Sequence, residues 1–404
     1  MATSVETGPF AHLGAALVDL QLPSPEAEEW RYSRVADLDP TRYSAASATP
    51  PEAAVADAEA MVAGFVDGLD EPPSAVVVLV DGVVVRATVV DDRVQVDTSP
   101  SVPDDEAPDV FSIVNEQVAT AEVVVGTQPG ARPTSPVVVA SCTAADDVVV
   151  APRLRIRLGA DSELAVVELH RSLGASTALV LPVTRVDVGR DATLRHVVVQ
   201  DVDTGSDVVG SIAADVAGSA TYDGWLAAIG GRYARTRVDC RLAGRGADGR
   251  LASLYAGGGD QMRDLRTFQD HLDRDTTSTL EFKGAVDDRA HAVYTGLIRI
   301  HPEAKGSNAE QSNRIMTLSD EAWAESVPNL EIEHNDVRCA HASTVGPVDA
   351  DQRFYLESRG VPTDVAERLI VAGFFDEVLE RCCVPAVAGL VRPRVARVLG
   401  GGGS

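Results

Sequence analysis

A thiol and an imidazole lie two positions apart near the C-terminal end of the chain, in the segment RCAHAS. Cys339 and His341 flank a single small residue, Ala340. The segment alternates as a β-strand does, so we expect both side chains on the same face. A thiolate is a soft ligand and an imidazole a borderline one, and together they suit zinc, iron or an iron–sulfur cluster. The alternative is a small buried cysteine beside an edge histidine whose hydrogen bonds are satisfied locally.

Further polar side chains surround this pair in the run from 328 to 360. They are either a polar wall that supports a site or the solvated face of a strand. A stand-alone zinc or iron enzyme built from Cys339, His341 and His334 would hold its metal in the isolated chain. The polar residues on the run are Glu331, Glu333, His334 and Asp336.

Three further histidines do not form a metal-binding pattern. His271, His291 and His301 lie too far apart along the chain to fit a closed zinc site. We therefore expect structural or exposed roles for them. The amide-rich segment NAEQSNRIM from Asn308 is expected to form hydrogen-bonded ladders along a β-helix corner.

The other cysteines fit structural roles. Cys142 and Cys240 lie in apolar strands, where inert burial is expected. The adjacent Cys382 and Cys383 cannot both face one metal from a regular helix, so we expect core or docking-face positions. Five scattered cysteines do not resemble a disulfide framework and indicate a reducing compartment.

The chain carries no signature of an independent enzyme. It contains no nucleophile elbow, P-loop, dinucleotide-binding glycine motif or paired catalytic carboxylates. We therefore predict no turnover by this chain alone.

Acidic residues dominate the charge. The 61 Asp and Glu residues outnumber the 35 Lys and Arg residues and give a formal charge of -26 over 404 residues. Such a surface repels nucleic acid and anionic lipid, so we expect neither as a partner. The absence of a basic and then apolar leader, and of a long apolar stretch, predicts a cytoplasmic protein that does not enter a membrane.

Changes in residue pattern divide the chain into five parts. Valine runs on both sides of Asp81-Gly82 indicate a β-hairpin. After Pro347 the apolar period changes from that of strands to that of helices. The predicted parts are a helical region (1–72), a β-rich lead-in with one short helix near 112–121 (73–136), a β core (137–346), a helical C-terminal domain (347–398) and a flexible tail or linker scar (399–404).

Four segments of the core look alike, each with two apolar strands around a glycine-centred corner. Their glycines, Gly159, Gly189, Gly218 and Gly246, recur at an almost constant interval. A stacked β-solenoid produces a near-constant period of this kind. An antiparallel sandwich with evenly spaced hairpins is the alternative, and the regular period favours the solenoid.

Several segments together resemble the SufB/SufD family of iron–sulfur cluster assembly scaffold proteins, and within it the SufD-like chains. EEWRYSRVADL from Glu28 is similar to the family's N-terminal signature. The long run from HLDRDTTSTLEFKG to MTLSDEAW, starting at His271, is similar to its β-helix segment. PNLEIEHNDVRCAHASTVG and DQRFYLESRGVPTDVAERLIVAGFFDEVLE are similar to its terminal block. The Cys-x-His pattern without a CxxC cluster favours the SufD-like chains, although Ala342 stands where the family commonly has glycine.

The resemblance implies a mainly β protein with a right-handed parallel β-helix flanked by helical regions. It also implies a scaffold subunit without turnover, which pairs with a SufB-like paralogue and docks a SufC-like ABC-type ATPase. A transient iron–sulfur cluster would form at the paralogue interface near His341 and Cys339. From their place on the same run, Glu333, His334 and Asp336 are the expected supporting polar residues. A flavin, FAD, is implied by the resemblance only. The implied ATPase docking region contains Phe354, Tyr355, Ser358, Arg359 and Gly360.

A carbohydrate-active β-helix enzyme of the polysaccharide lyase type is the alternative function. It predicts export, clustered catalytic residues along one groove and often calcium. The sequence lacks an export signal and does not concentrate basic residues on the repeats. The pattern therefore favours the scaffold.

Overall fold

The computed structural model of the chain describes residues 8–99 and 107–400. The N-terminal part contains five 3₁₀ helices, at Ala11–Leu13, Ala15–Leu17, Glu28–Trp30, Val35–Asp37 and Pro40–Arg42. The α-helices are α1 (Glu52–Val66), α2 (Val110–Val118), α3 (Ala350–Ser358), α4 (Thr363–Leu379) and α5 (Pro385–Gly400). The tail predicted from 399 overlaps the end of α5 and otherwise lies outside the described residues.

The strands fill the chain between α1 and α3, apart from the short β1 that precedes α1. They are β1 (Ser44–Ala45), β2 (Ala75–Val80), β3 (Val83–Val89), β4 (Val94–Ser99), β5 (Glu122–Thr127), β6 (Val137–Thr143), β7 (Val148–Val150), β8 (Arg153–Leu158), β9 (Glu163–Ser172), β10 (Leu179–Val180), β11 (Val183–Val188), β12 (Thr193–Asp201), β13 (Asp207–Val216), β14 (Thr221–Ala228), β15 (Tyr233–Leu242), β16 (Asp248–Gly257), β17 (Met262–His271), β18 (Thr277–Val286), β19 (His291–Ile300), β20 (Asn308–Thr317), β21 (Trp323–Ile332) and β22 (Arg338–Pro347).

The strands form a parallel β-solenoid of about eight turns. From β11 to β22 successive strands alternate between two sheets, and each pairs with the strand one turn away. One sheet follows the order β21-β19-β17-β15-β13-β11-β8-β5-β4, and the other β22-β20-β18-β16-β14-β12-β9-β6-β2-β3. The predicted β-helix is thus confirmed, and the antiparallel sandwich is wrong because the repeats pair in parallel.

Antiparallel pairing occurs at the start of the solenoid. The predicted hairpin at Asp81-Gly82 joins β2 and β3, and β4 runs antiparallel to β5. Within the described residues, these are the two antiparallel ladders. The first end of the solenoid therefore has a different strand geometry from its last end, where β21 and β22 are parallel edge strands.

The corners between the sheets differ in detail from the predicted glycine pattern. Of the four glycines, only Gly246 has left-handed backbone. Gly159 and Gly189 instead permit close backbone approach, because an added Cβ would lie 2.4 Å from the nitrogen of Pro129 or from the carbonyl oxygen of Leu158, respectively. At equivalent corners the left-handed conformation, which Asp adopts more readily than most residues, is taken by Asp161, Asp191, Ser219 and Asp275.

An apolar core occupies most of the interior. Valine, leucine and isoleucine side chains from alternate positions of both sheets fill it, as in Val166, Ile156 and Leu194. Each such side chain contributes about 1.5–3 kcal/mol of burial free energy relative to an exposed one. This packing fixes which residues of each strand face inward, and so orients the side chains at the last turn.

The segment from 8 to 43, here the N-terminal strap, lies against the outside of the sheet that contains β13 and β15. Trp30 packs beneath the guanidinium of Arg235, 3.7 Å from the ring centre. Arg266 donates a hydrogen bond of 2.7 Å to the carbonyl oxygen of Arg31. Both arginines pair with the buried Asp264. The strap is therefore fastened by charges that belong to the solenoid.

The C-terminal helices pack on the outside of the other sheet. The indole Nε1 of Trp225 donates to the carbonyl oxygen of Val378 at 2.8 Å. The Nζ of the buried Lys283 donates to the carbonyl oxygen of Phe374 at 2.8 Å and also pairs with Glu377. These contacts anchor α4, whereas α3 buries none of its side chains.

Across residues 8–99 and 107–400, every helix is too short or too polar to span a bilayer.

Candidate functional site

Cys339 and His341 lie on β22, the last strand of the ten-stranded sheet. β22 pairs in parallel with β20, with Ala309 opposite Cys339 and Gln311 opposite His341. Both of these neighbours are buried and face the solenoid interior. Because aligned residues of parallel strands share a face, the side chains of Cys339 and His341 both lie on the inward face at the open end.

Cys339 has an apolar environment. It is half-buried and packs against Ile298, Ile300, Ala304 and Ala309. Burial raises the pKa of its thiol. At neutral pH this side chain is therefore mainly a thiol, and a bound metal or an added positive charge would be needed to favour the thiolate.

His341 is exposed, as are most residues of β22. On one side this strand pairs with β20, and among the described residues no strand pairs with its other side. β21 occupies the same edge position in the neighbouring sheet. The end of the solenoid thus presents two strands with unpaired backbone donors and acceptors beside the thiol and the imidazole.

Glu333, His334 and Asp336 lie on the loop between β21 and β22. The Nδ1 of His334 accepts a hydrogen bond of 3.0 Å from the backbone N–H of Asp336, whose carboxylate lies 3.4 Å from Lys305. The backbone N–H of Glu333 donates to the carbonyl oxygen of Ile300 at 2.9 Å. In the part of the chain that the structure describes, no hydrogen bond or ion pair links these side chains to Cys339 or His341.

Among the described residues, metal-ligating side chains are not clustered. Over residues 8–99 and 107–400, no group of three or more His, Cys, Asp or Glu side chains is arranged to hold a metal ion. The stand-alone enzyme that would combine Cys339, His341 and His334 gains no geometric support from this arrangement. Cys339 and His341 form a pair on one strand face.

The predicted ATPase docking region lies on α3 and the turn after it. Phe354 and Tyr355 expose 70% and 58% of their surface. The Ser358 hydroxyl donates to the carbonyl oxygen of Tyr355 at 2.7 Å, and the Arg359 guanidinium lies 5.2 Å from the Tyr355 ring centre. Gly360 has a φ of 85° and ends the helix. This region therefore presents adjacent aromatic rings to solvent on a well-formed helix.

A polar cluster inside the solenoid was not anticipated from the sequence. The Glu168 carboxylate accepts hydrogen bonds from the Nε2 atoms of His170 at 2.9 Å and His196 at 3.1 Å, and from the hydroxyl of Thr184 at 2.9 Å. Burial opposes ionisation of Glu168, but these histidines outweigh it and hold its pKa well below the usual value. The sequence signal is the polar ELH ending of an otherwise apolar strand. The four side chains mostly satisfy one another, which indicates a structural role.

His271 and Asn313 have local hydrogen-bond partners. The ring nitrogens of His271 are hydrogen-bonded to the hydroxyls of Thr276 and Ser278 at 2.8 and 2.9 Å. In the amide-rich segment, Asn313 accepts from the Tyr255 hydroxyl at 2.7 Å and donates to Ser326 at 2.8 Å. The Asn313 bonds join β20 to β16 and β21, whereas the sequence had suggested ladders along a corner.

The other cysteines lie away from the open end. Cys142, Cys240 and Cys382 are buried, and Cys383 is half-buried. Burial raises the pKa of Cys142 and of Cys382 to about 12. These thiols are poorly suited to redox or ligand chemistry.

Comparison with known proteins gives a consistent relationship. The family model for the SUF system FeS cluster assembly SufBD core domain matches residues 141–374, more than half of the chain. An iron–sulfur cluster assembly SufBD family protein of Mycobacterium leprae is 36% identical over 208 residues, which are 50% of this chain and 46% of that protein. This chain therefore spans about half the length of the mycobacterial relatives it matches.

Two relatives carry the name SufD. The iron–sulfur cluster assembly protein SufD of Escherichia coli K12 is 27% identical over 94% of this chain and 90% of its own length. SufD of Bacillus subtilis is 34% identical over 36% of this chain and 33% of its own length. With the family match over β7 to β22 and α3, these similarities confirm the predicted relationship. The chain belongs to the SufBD family of the SUF iron–sulfur cluster assembly system.

Proposed function

We propose that this chain is a scaffold subunit on which an iron–sulfur cluster is assembled together with a SufB-like paralogue. The observation that carries the proposal is the open end of the solenoid, where Cys339 and His341 share the inward face of an edge strand. A scaffold has to release the cluster that it builds. A thiol beside an exchangeable imidazole suits that requirement better than a closed set of four thiolates.

Pairing with the paralogue would occur along the edge strands β21 and β22. Their free backbone groups can be satisfied by the strands of a second solenoid, which is the usual way in which sheets extend between chains. A partner in that position would cover His341 and Cys339 and bring its own ligands to them. The cluster would then be held at the interface as cargo, with this chain supplying part of its coordination.

Docking of a SufC-like ATPase is assigned to α3. The exposed rings of Phe354 and Tyr355 are the kind of aromatic anchor that protein interfaces enrich. Trp225 and Lys283 hold α4 on the solenoid. A movement that the ATPase causes at α3 would therefore be transmitted to the β-sheets. ATP turnover would belong to the partner, and this chain would have no turnover of its own.

The proposal places the complex in the cytoplasm. All five cysteines are free, which fits a reducing compartment. No residue of this chain is assigned to the flavin that the resemblance implies.

The test is native mass spectrometry after anaerobic co-expression with a SufB-like and a SufC-like subunit. We expect a mixed complex that carries cluster iron and sulfide, and a loss of most of that cluster in His341→Ala. His12→Ala is the matched control, because His12 lies on the N-terminal strap, where its Nε2 is hydrogen-bonded to the carbonyl oxygen of Tyr43.

Two results would contradict the proposal. If no mixed complex forms, the chain does not act as a subunit of this assembly. If the complex forms but His341→Ala and His12→Ala hold equal amounts of cluster, the chain is an architectural partner and the site lies elsewhere.

A further inference from the structure

Gln311 is a buried amide in a column of inward-facing residues, where it follows two leucines and precedes His341. Aligned residues along the ten-stranded sheet run from Leu251 through Leu280 and Gln311 to His341. Gln311 is 4% exposed, and within the described residues its Oε1 has no hydrogen-bond partner. An unpartnered buried acceptor is unfavourable, and leucine fills the same column one and two turns earlier. Filling space therefore does not explain an amide at this position.

The opposite sheet leaves room for this amide. A Cβ added at Gly296 of β19 would lie 2.5 Å from Oε1 and 2.6 Å from Nε2 of Gln311. It would also lie 2.7 Å from the hydroxyl of Tyr294. Any side chain at 296 would displace the amide from the interior. The glycine thus allows Gln311 to occupy its place directly beneath the last strand.

We propose that Gln311 is a positioning residue for His341. Its amide oxygen accepts a hydrogen bond from one ring N–H of the imidazole, and the lone pair of the other ring nitrogen is then directed to the open end. Histidines that bind metal commonly have such a partner, which fixes the tautomer and the ring orientation. His341 is exposed, so its ring can reach the amide by rotation about its own side-chain bonds.

This inference rests on the proposed function, because a fixed His341 ring matters for cluster assembly only if His341 meets the cluster. Without a partner for one nitrogen, an exposed imidazole samples both tautomers and many orientations. A fixed ring would meet iron or a nascent cluster with its lone pair already directed. Gln311 would then act through His341, without touching the cluster itself.

The experiment is NMR of the isolated full chain labelled with ¹⁵N in its histidine rings, with His341 assigned by its loss in His341→Ala. We expect one ring N–H of His341 to exchange with water about tenfold more slowly in the wild type than in Gln311→Met. Gln311→Glu, which keeps an acceptor, should retain the slow exchange. Gln269→Met is the matched control, because Gln269 is also a buried glutamine with an unpartnered amide atom, but lies on β17.

The inference is overturned if the wild type has no slowly exchanging ring N–H at His341, if Gln311→Met leaves it unchanged, or if Gln269→Met removes it equally. Thermal unfolding identifies a Gln311→Met protein that does not fold. If Gln311→Met does not fold, Gln311→Glu provides the test. Loss of the slow His341 N–H exchange in a folded Gln311→Glu protein would also overturn the inference. The NMR measurement uses the chain without a cluster. The hydrogen bond can therefore be established even if His341→Ala leaves the cluster content of the mixed complex unchanged.

Discussion

Replacing Asp264 with asparagine should loosen the N-terminal strap and destabilise the whole chain. The Asp264 carboxylate is fully buried and lies 2.8 Å from Arg235 and 2.5 Å from Arg266, whose side chains are each 1% exposed. The hydroxyl of Tyr233 donates a third hydrogen bond at 3.3 Å. Asparagine keeps the shape of the side chain but removes the charge. Two buried guanidinium groups then lose the carboxylate that they share.

The expected loss is about 4 kcal/mol of unfolding free energy, because removing one partner of a buried ion pair typically costs about 3–5 kcal/mol. The two charge-assisted hydrogen bonds, at about 1.5–3 kcal/mol each, give a similar range. Part of the loss should be local, since Arg235 also donates to the carbonyl oxygen of Glu29 at 2.9 Å and lies over Trp30.

Urea unfolding measures the global change, and limited trypsin digestion measures the local one through cleavage after Arg31 and Arg34. The pH dependence is a further check. Burial acts to raise the pKa of Asp264, but the nearby guanidinium groups outweigh it and hold the pKa below 3.8. The ion pair therefore stabilises the fold above about pH 4 and is lost as pH falls through the lowered pKa. Wild type and variant should converge in stability under strongly acidic conditions.

The control is Asp260→Asn. Asp260 binds both Nε and Nη2 of Arg289, at 2.8 and 2.9 Å, but both side chains are exposed. Water screens that pair, so little change is expected. The reasoning about burial is refuted if the two variants lose similar stability, or if the unfolding free energy of Asp264→Asn lies within about 1 kcal/mol of the wild-type value.

Three further predictions concern other parts of the molecule. Trp225→Phe removes the donor to the carbonyl oxygen of Val378 and should lower the unfolding free energy by about 2 kcal/mol, measured by urea unfolding. The double variant Phe354→Ala and Tyr355→Ala should weaken binding of the SufC-like ATPase at least about tenfold by calorimetry, with little change in Tm, because both rings are exposed. Burial lowers the pKa of His271 to about 4, so stability should be lost as pH falls from 6.5 towards 4, and His271→Gln should flatten that part of the curve.

Each of these predictions has a matched control. Trp323→Phe changes a partly exposed indole at the solenoid edge and should have less effect than Trp225→Phe. Val90→Ala truncates an exposed apolar side chain far from α3 along the chain and should leave ATPase binding intact. His12→Gln alters an exposed histidine of the N-terminal strap and should leave the acid slope in place. A control that behaves like its test variant contradicts the corresponding prediction.

The solenoid could be predicted because each turn has a similar local residue pattern that recurs along the sequence. Each turn repeats two apolar strands and a tight corner, so the regular period can be read from the sequence alone. The sequence did not show which corner residue allows close backbone approach and which adopts the left-handed conformation. Gly159 and Gly189 allow backbone to approach, while the neighbouring aspartates Asp161 and Asp191 take the left-handed conformation. Both residue types are common in turns, and spacing alone does not distinguish their roles.

The site could be predicted only in part, because local patterns do not show which residues of different turns lie together. The Cys-x-His spacing on an alternating strand predicts a shared face, which depends on one strand only. Gln311 lies one turn of the solenoid before His341, and its place beneath the imidazole depends on the length of the intervening corners and on parallel register. The N-terminal strap was also beyond local patterns. Its helices are short 3₁₀ turns, and Trp30 is fixed by Arg235, which lies in a distant part of the sequence.

The unlike ends of the solenoid limit the stoichiometry of assembly. At the first end β3 and β4 run antiparallel to their neighbours, whereas at the last end β21 and β22 leave parallel edges. A head-to-tail contact between identical chains would have to join these two different geometries, so repeated addition into a fibre is disfavoured. Under the proposed pairing, association through the last end would instead close after one partner. A chain with a long exposed β edge would then form a defined pair and not an open-ended polymer.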